Sequence, residues 1–95
     1  MESKIVYLDN NATTKVAPEV VSAMLPFLQK FYGNPSSMHF FGGEVNRHVE
    51  RARGQVASLL GCDVSEIIFT SCGTESDNTG IIGTLEALPG NRKHL

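Results

Sequence analysis

Residues 67–78 read IIFTSCGTESDN, and the fold turns on them. Ile67-Ile68-Phe69-Thr70 is a run of apolar and β-branched residues with the chemistry of a strand buried on both faces. Ser71, Cys72, Gly73 and Thr74 then break the run, and Glu75 and Asp77 suit the positive end of a helix. The spacing predicts a helix from about Thr74 to Leu88 with Ile81, Ile82, Leu85 and Leu88 facing inward. A strand that feeds a helix through a glycine turn leaves the N–H groups of the first helical turn unpaired, so the junction suits an anion. Gly73 lets main chain approach such a ligand closely, and the Thr74 hydroxyl adds a donor. Thr74-Glu75-Ser76-Asp77 is also a capping-box variant, with Thr74 as N-cap and Asp77 reaching back. On physics alone capping ranks first, and a threonine can both cap and touch an anion.

Outward from this junction, the chain alternates loops with helical patterns. Ile5-Val6-Tyr7-Leu8 reads as extended backbone ending in a turn at Asp9-Asn10-Asn11. Pro18 fits the first position of a helix, with Glu19 beside it. Val20, Val21, Met24, Leu25, Leu28 and Phe31 or Tyr32 continue at helical spacing. Pro26 lies within that pattern and is expected to kink or break it, and Gly33 is expected to close it in the C′ position. After the loop Asn34-Pro35-Ser36-Ser37, a clearer helix carries an apolar stripe of Val45, Val49, Ala52, Val56, Leu59 and Leu60, with Glu44, Arg47, Glu50, Arg51 and Arg53 largely off it. Gly61 stops it. Helices alternating with an apolar strand indicate an α/β layer architecture with a mostly parallel sheet. Only one secure strand of that sheet is legible. Asn91-Arg92-Lys93-His94-Leu95 follows the turn pair Pro89-Gly90, where another element should begin, so the expectation is the amino-terminal segment of something longer.

Composition excludes several classes of function. In 95 residues, 8 Lys and Arg stand against 10 Asp and Glu, for a net charge of −2. Lys15, Lys30, Arg47, Arg51, Arg53, Arg92 and Lys93 are scattered, so no basic patch suits a nucleic-acid backbone. No apolar run approaches the roughly 20 residues of a membrane span, and Met1-Glu2-Ser3-Lys4 leads into no secretory core. The two cysteines, ten positions apart, form no CxxC pair, which fits a cytosolic chain with reduced thiols. His39, His48, Cys62 and Cys72 have no metal-ligand spacing. His48 falls on the charged face of the second helix, whereas His39 follows a polar loop and can face a cleft. Cys72, with neither His nor a second Cys near it in sequence, reads as a small packing residue before a nucleophile. There is no Walker lysine after the turn, no GxGxxG, and no arginine closing a phosphatase loop.

Three blocks taken together carry a resemblance. They are Tyr7-Leu8-Asp9-Asn10-Asn11-Ala12-Thr13-Thr14, Gly33-Asn34-Pro35-Ser36-Ser37-Met38-His39 and Phe69-Thr70-Ser71-Cys72-Gly73-Thr74-Glu75-Ser76-Asp77-Asn78. In this order the chain resembles the amino-terminal quarter of cysteine desulfurases of the NifS/IscS type, within the class V aminotransferase-like group of fold type I pyridoxal phosphate enzymes. The resemblance covers essentially all 95 residues. It implies a three-layer α/β fold with a mostly parallel sheet, incomplete in this chain. Residues 1–15 would associate with a small domain, and residues 16–95 would begin the large cofactor-binding domain. It also implies that Gly73 and Thr74 bind the phosphate of pyridoxal 5′-phosphate.

The implied reaction removes sulfur from L-cysteine to give L-alanine and a persulfide on an enzyme cysteine. A sulfur acceptor or iron–sulfur scaffold protein would be the partner of a cytoplasmic homodimer. The lysine that binds the cofactor covalently, the ring-stacking histidine, the aspartate at the pyridine nitrogen and the attacking cysteine would all fall beyond Leu95, and Cys72 does not match that nucleophile. No contact is carried over to Asn10–Thr14 or to the Asn34–His39 loop. The alternatives are a related pyridoxal phosphate lyase, such as a selenocysteine lyase, and a non-catalytic fragment.

Overall fold

The computed structural model describes residues 4–90 and contains three α-helices and one 3-10 turn. We label the α-helices α1 (Pro18–Gln29), α2 (Phe40–Leu60) and α3 (Gly73–Ala87); the 3-10 turn is Val64–Glu66. The expectation of a further element at Asn91–Leu95 lies outside the described residues. The chain divides into two compact units, residues 1–51 and 52–95, with the boundary inside α2.

In the first unit, Ile5 to Leu8 is irregular and exposed, and a turn at Asn10–Ala12 closes with the Ala12 N–H donating to the Asp9 carbonyl at 3.1 Å. Helix α1 starts at Pro18, where a missing N–H costs nothing because the first helical N–H groups have no partner in any case. Pro26 does not divide α1, which continues to Gln29. The helix ends sooner than its apolar spacing suggests. Lys30 caps it, and the Pro26 carbonyl accepts from both the Lys30 and Phe31 N–H groups, at 2.8 and 2.9 Å. Gly33 is therefore not a C′ residue, and it has no positive φ. Close approach explains it instead, because a Cβ there would lie 2.8 Å from the Phe41 ring.

Gly42 is the tighter case. A Cβ at this position would meet the Asn34 and Ser37 carbonyl oxygens at 2.6 and 2.7 Å, so the 34–37 loop lies directly on the first turn of α2. The loop is shaped by the Ser37 N–H donating to the Asn34 carbonyl and the Ser36 N–H donating to Asn34 Oδ1. His39 precedes α2, and its Nδ1 accepts the Gly42 N–H at 3.2 Å, satisfying one of the helix's opening donors. His48 does not lie on a charged face. It packs against Phe27 and Phe31, with ring centroids 5.0 and 4.7 Å away, because it points from α2 towards the end of α1. Val45 is the buried apolar residue of this part of α2.

In the second unit, α2 stops at Leu60 and Gly61 takes the left-handed conformation, φ +71°, that a side chain disfavours. Ala57 is buried, but Leu59 and Leu60, expected in the apolar stripe, are exposed. The 3-10 turn is capped by Asp63, whose carboxylate accepts the Ser65 N–H while Glu66 reaches back to the Asp63 N–H. Asp63-Val64-Ser65-Glu66 carries this capping box openly in the sequence.

Ile67–Thr70 forms neither helix nor strand, Ile67 having extended backbone (φ −93°, ψ 122°); the segment pairs with no strand among the described residues, and Ile68 is 72% exposed. The expected burial fails for a physical reason: a strand's ladder and both its apolar faces are completed by other strands and helices. Part of its main chain is satisfied locally instead. The Arg53 guanidinium donates to the Ile67 carbonyl at 2.6 Å and lies 4.8 Å from the centre of the Phe69 ring. Helix α3 begins at Gly73 and ends at Ala87, with Leu85 partly covered and Ile81 and Ile82 half exposed. No described helix is long and apolar enough to cross a membrane.

Candidate functional site

The junction between the extended segment and α3 is organised by short-range hydrogen bonds. Cys72, not Thr74, occupies the N-cap, with extended backbone at φ −164° and ψ 170°. Thr74 is thus the second residue of the helix, and its side chain makes no hydrogen bond among the described residues. Asp77 does not reach back either. The reaching residue is Glu75, which accepts from both the N–H and the hydroxyl of Ser71 through Oε2, the N–H bond measuring 2.8 Å. The expected capping box does not form: the N-cap lies two residues earlier, at Cys72, which makes no side-chain capping bond, and Glu75 instead reaches Ser71, the residue before the N-cap.

A second tie joins the same segments. Thr70 Oγ1 and Ser76 Oγ are hydrogen-bonded to each other, and each is within reach of the Cys72 carbonyl, at 3.2 and 3.3 Å; with one proton apiece, one hydroxyl donates to its partner and the other to the carbonyl. That carbonyl also accepts the Ser76 N–H at 3.1 Å, the first bond of the helical ladder. Thr70, Ser71 and Cys72 are each tied to Glu75 or Ser76. In contrast, the N–H groups of Gly73, Thr74 and Glu75 have no oxygen acceptor among the described residues.

Electrostatics follow from this geometry. Glu75 is held below the usual carboxylate range, first by the Ser71 hydroxyl and then by the Ser71 N–H. The Cys72 thiol is held below its ordinary value by the Glu75 N–H, then by the Ser71 hydroxyl and the Thr74 N–H. It forms no capping hydrogen bond, so it feels the dipoles of these groups without closing them off. Cys72 is exposed and is not packed among the described residues.

The donor set fits a phosphate. Adjacent main-chain N–H groups without an oxygen acceptor stand at the positive end of a 15-residue helix, and beyond the chain neighbours and the helix's own backbone nothing lies within 4 Å of the position a Gly73 Cβ would take. Gly73 and Thr74, the residues expected from the sequence, are at the mouth, and Thr74 has a hydroxyl uncommitted to capping. A shallow groove lined by Glu66, Ile68, Thr70, Ser76, Thr79 and Gly80 adjoins the same segments. His39 lies in the other unit, committed to Gly42, and no group of three potential metal ligands exists among the described residues. Sequence reasoning missed the Glu75–Ser71 and Thr70–Ser76 ties. The i, i+4 and i, i+6 spacings of hydroxyl and acidic residues about a strand-to-helix turn were their only signal.

These features define an anion-receptive helix mouth, and comparison with known proteins gives the family. Residues 6–94 match the family model for aminotransferase class V, and the chain belongs to that family. It is 64% identical over 88 residues to cysteine desulfurase 2 of Trichormus variabilis, covering 93% of this chain and 22% of the relative. It is 58% identical over 85 residues to the cysteine desulfurase NifS of Azotobacter vinelandii, covering 88% and 21% respectively. Among solved structures, a NifS-like protein superposes with a TM-score of 0.79 at 51% identity, over 85% of this chain and 22% of that one. The chain thus spans about a fifth of the length of the curated relatives it matches.

Proposed function

We propose that this chain is the cofactor-anchoring amino-terminal segment of a cysteine desulfurase, which takes sulfur from L-cysteine and leaves L-alanine. The observation that carries the reading is the open mouth of α3, set in a chain 58–64% identical to cysteine desulfurases. The Gly73 and Thr74 N–H groups and the Thr74 hydroxyl would hold the phosphate of pyridoxal 5′-phosphate, with the helix dipole adding attraction. When bound, that cofactor supplies an electron sink for the substrate carbon. The residues of this chain do the anchoring. Gly73 and Thr74 would hold the cofactor's phosphate end and so restrict where the ring can lie relative to the groups that act on substrate.

On this reading Ile67–Thr70 becomes an inner strand of a mostly parallel sheet. Residues 1–15 associate with the small domain, and residues 16–95 open the large one. The sulfur leaves as a persulfide on a cysteine other than Cys72, for a sulfur acceptor or iron–sulfur scaffold protein, in a cytoplasmic homodimer. The test is to incubate the full-length enzyme with L-cysteine and measure alanine together with protein persulfide. Stoichiometric formation of both, dependent on pyridoxal 5′-phosphate, is expected. Failure to retain the cofactor, or turnover of selenocysteine without turnover of cysteine, would overturn the assignment.

A further inference from the structure

Glu75 belongs to the first turn of α3, where its charge would oppose a bound phosphate, and its carboxylate is engaged by Ser71. Both Ser71 donors, the N–H and the hydroxyl, converge on the single oxygen Oε2. This has two physical consequences. The ionised carboxylate is neutralised in part by two donors, so its field at the helix mouth is weakened. Ser71, the hinge between the extended segment and the N-cap, loses its rotational freedom. The Thr70–Ser76 pair restrains the neighbouring residue through the Cys72 carbonyl. The N–H groups of Gly73 and Thr74, which lie between these ties, and that of Glu75 have no oxygen acceptor among the described residues.

We propose that Glu75 is a positioning residue for cofactor phosphate: it grips Ser71 and so sets the approach of Gly73 and Thr74 to the phosphate, without touching the cofactor itself. This rests on the phosphate reading of Gly73 and Thr74 given above. The grip needs an acceptor oxygen at the end of a four-atom arm, not a negative charge. Glutamine keeps such an oxygen and alanine does not.

The phosphate contribution can be isolated by comparing two probes, pyridoxal 5′-phosphate and pyridoxal, which lacks the phosphate. Their dissociation constants are measured by equilibrium dialysis on the cofactor-depleted full-length enzyme. Glu75→Ala is expected to weaken pyridoxal 5′-phosphate about tenfold, the effect of one lost charge-assisted contact, with pyridoxal unchanged. Glu75→Gln should restore at least most of the difference. Ser71→Ala, which removes only the hydroxyl arm, should show the same selectivity at about threefold, and it serves if Glu75→Ala fails to fold. An unchanged ratio of the two constants in the variants tested would overturn the proposal. So would an equal loss for both probes, which marks general damage, or a Glu75→Gln variant as weak as Glu75→Ala, which marks charge as the cause. Thr74→Val in parallel separates the two readings. If neither it nor any Glu75 or Ser71 variant changes the ratio, both the Thr74 hydroxyl contact and the Glu75 inference fall, and the phosphate rests on main-chain donors alone. If Thr74→Val alone changes the ratio, only the Glu75 inference falls.

Discussion

The two units are held together by different physics. In the first, shape dominates: the 34–37 loop rests on Gly42 with no room for a methyl group, and Phe27, Phe31 and His48 meet ring to ring. In the second, the working junction has almost no buried apolar surface and is held by side-chain hydrogen bonds of Thr70, Ser71, Glu75 and Ser76. The packed corner is intolerant of added volume. The junction tolerates volume but depends on keeping its donors and acceptors in place. An anion-binding turn can therefore form from a dozen contiguous residues, whereas the sheet it serves needs the rest of a domain.

The largest expected effect lies in the polar unit. Thr74→Val keeps the branched shape and removes the free hydroxyl. Because hydrogen bonds to charged groups contribute about 1.5–3 kcal/mol, affinity for pyridoxal 5′-phosphate should fall roughly ten- to a hundredfold. Since Cys72 is the N-cap, the same change should leave cofactor-free stability nearly unaltered. Titration of cofactor into the depleted full-length enzyme, beside a urea melt, reads both quantities. Lost stability with unchanged affinity would return Thr74 to a structural role.

The contrast is probed next by a pair of identical substitutions, one in each unit. Gly42→Ala forces a methyl group to within 2.6 Å of the Asn34 carbonyl and should cost about 1–3 kcal/mol. Gly54→Ala, in the same helix with nothing within 4 Å, should stabilise by about 0.5–1 kcal/mol through helix propensity alone. Urea midpoints of the two variants moving in the same direction would dissolve the contrast between the units.

Smaller effects are expected at the thiol and the carboxylates. Cys72→Ala should leave desulfurase turnover largely intact, since the residue is an exposed N-cap without a capping bond. Loss of persulfide formation with cofactor still bound would make it part of the chemistry. Asp63 and Glu75 are both held below their ordinary values, Asp63 by the Ser65 hydroxyl and then its N–H, and Glu75 by the Ser71 donors. The folded form then binds fewer protons than the unfolded one. Their contribution is present above the unfolded values, 3.8 for Asp63 and 4.5 for Glu75, and is lost as pH falls through the folded midpoints. Solvent exposure keeps it small. Carboxyl carbon shifts followed by NMR should show both midpoints depressed, and an ordinary value for Glu75 would mean that its grip on Ser71 is absent in solution.

Local chemistry in the sequence by itself determined the three helices, their order, the proline start of α1 and the glycine stop of α2. These depend on residues within a few positions of one another, where periodicity and capping rules apply directly. The same locality made Gly73 and Thr74 legible near the start of α3. The tertiary structure decided what depends on partners distant in the chain. Gly33 and Gly42 are glycines because of Phe41 and the 34–37 loop, and no helix-ending rule reports that. His48 left its expected charged face because two phenylalanines of the α1 region offered it a packing surface. Arg53 serves the Ile67 carbonyl across 14 positions. The exchange of Thr74 for Cys72 at the N-cap shows the limit within local reading. Both residues fit the pattern, and the choice fell to where the Ser71–Glu75 and Thr70–Ser76 bonds jointly close. Whether Ile67–Thr70 is buried was never a local property, because the ladder and both faces of a strand are supplied by elements that its own residues do not encode.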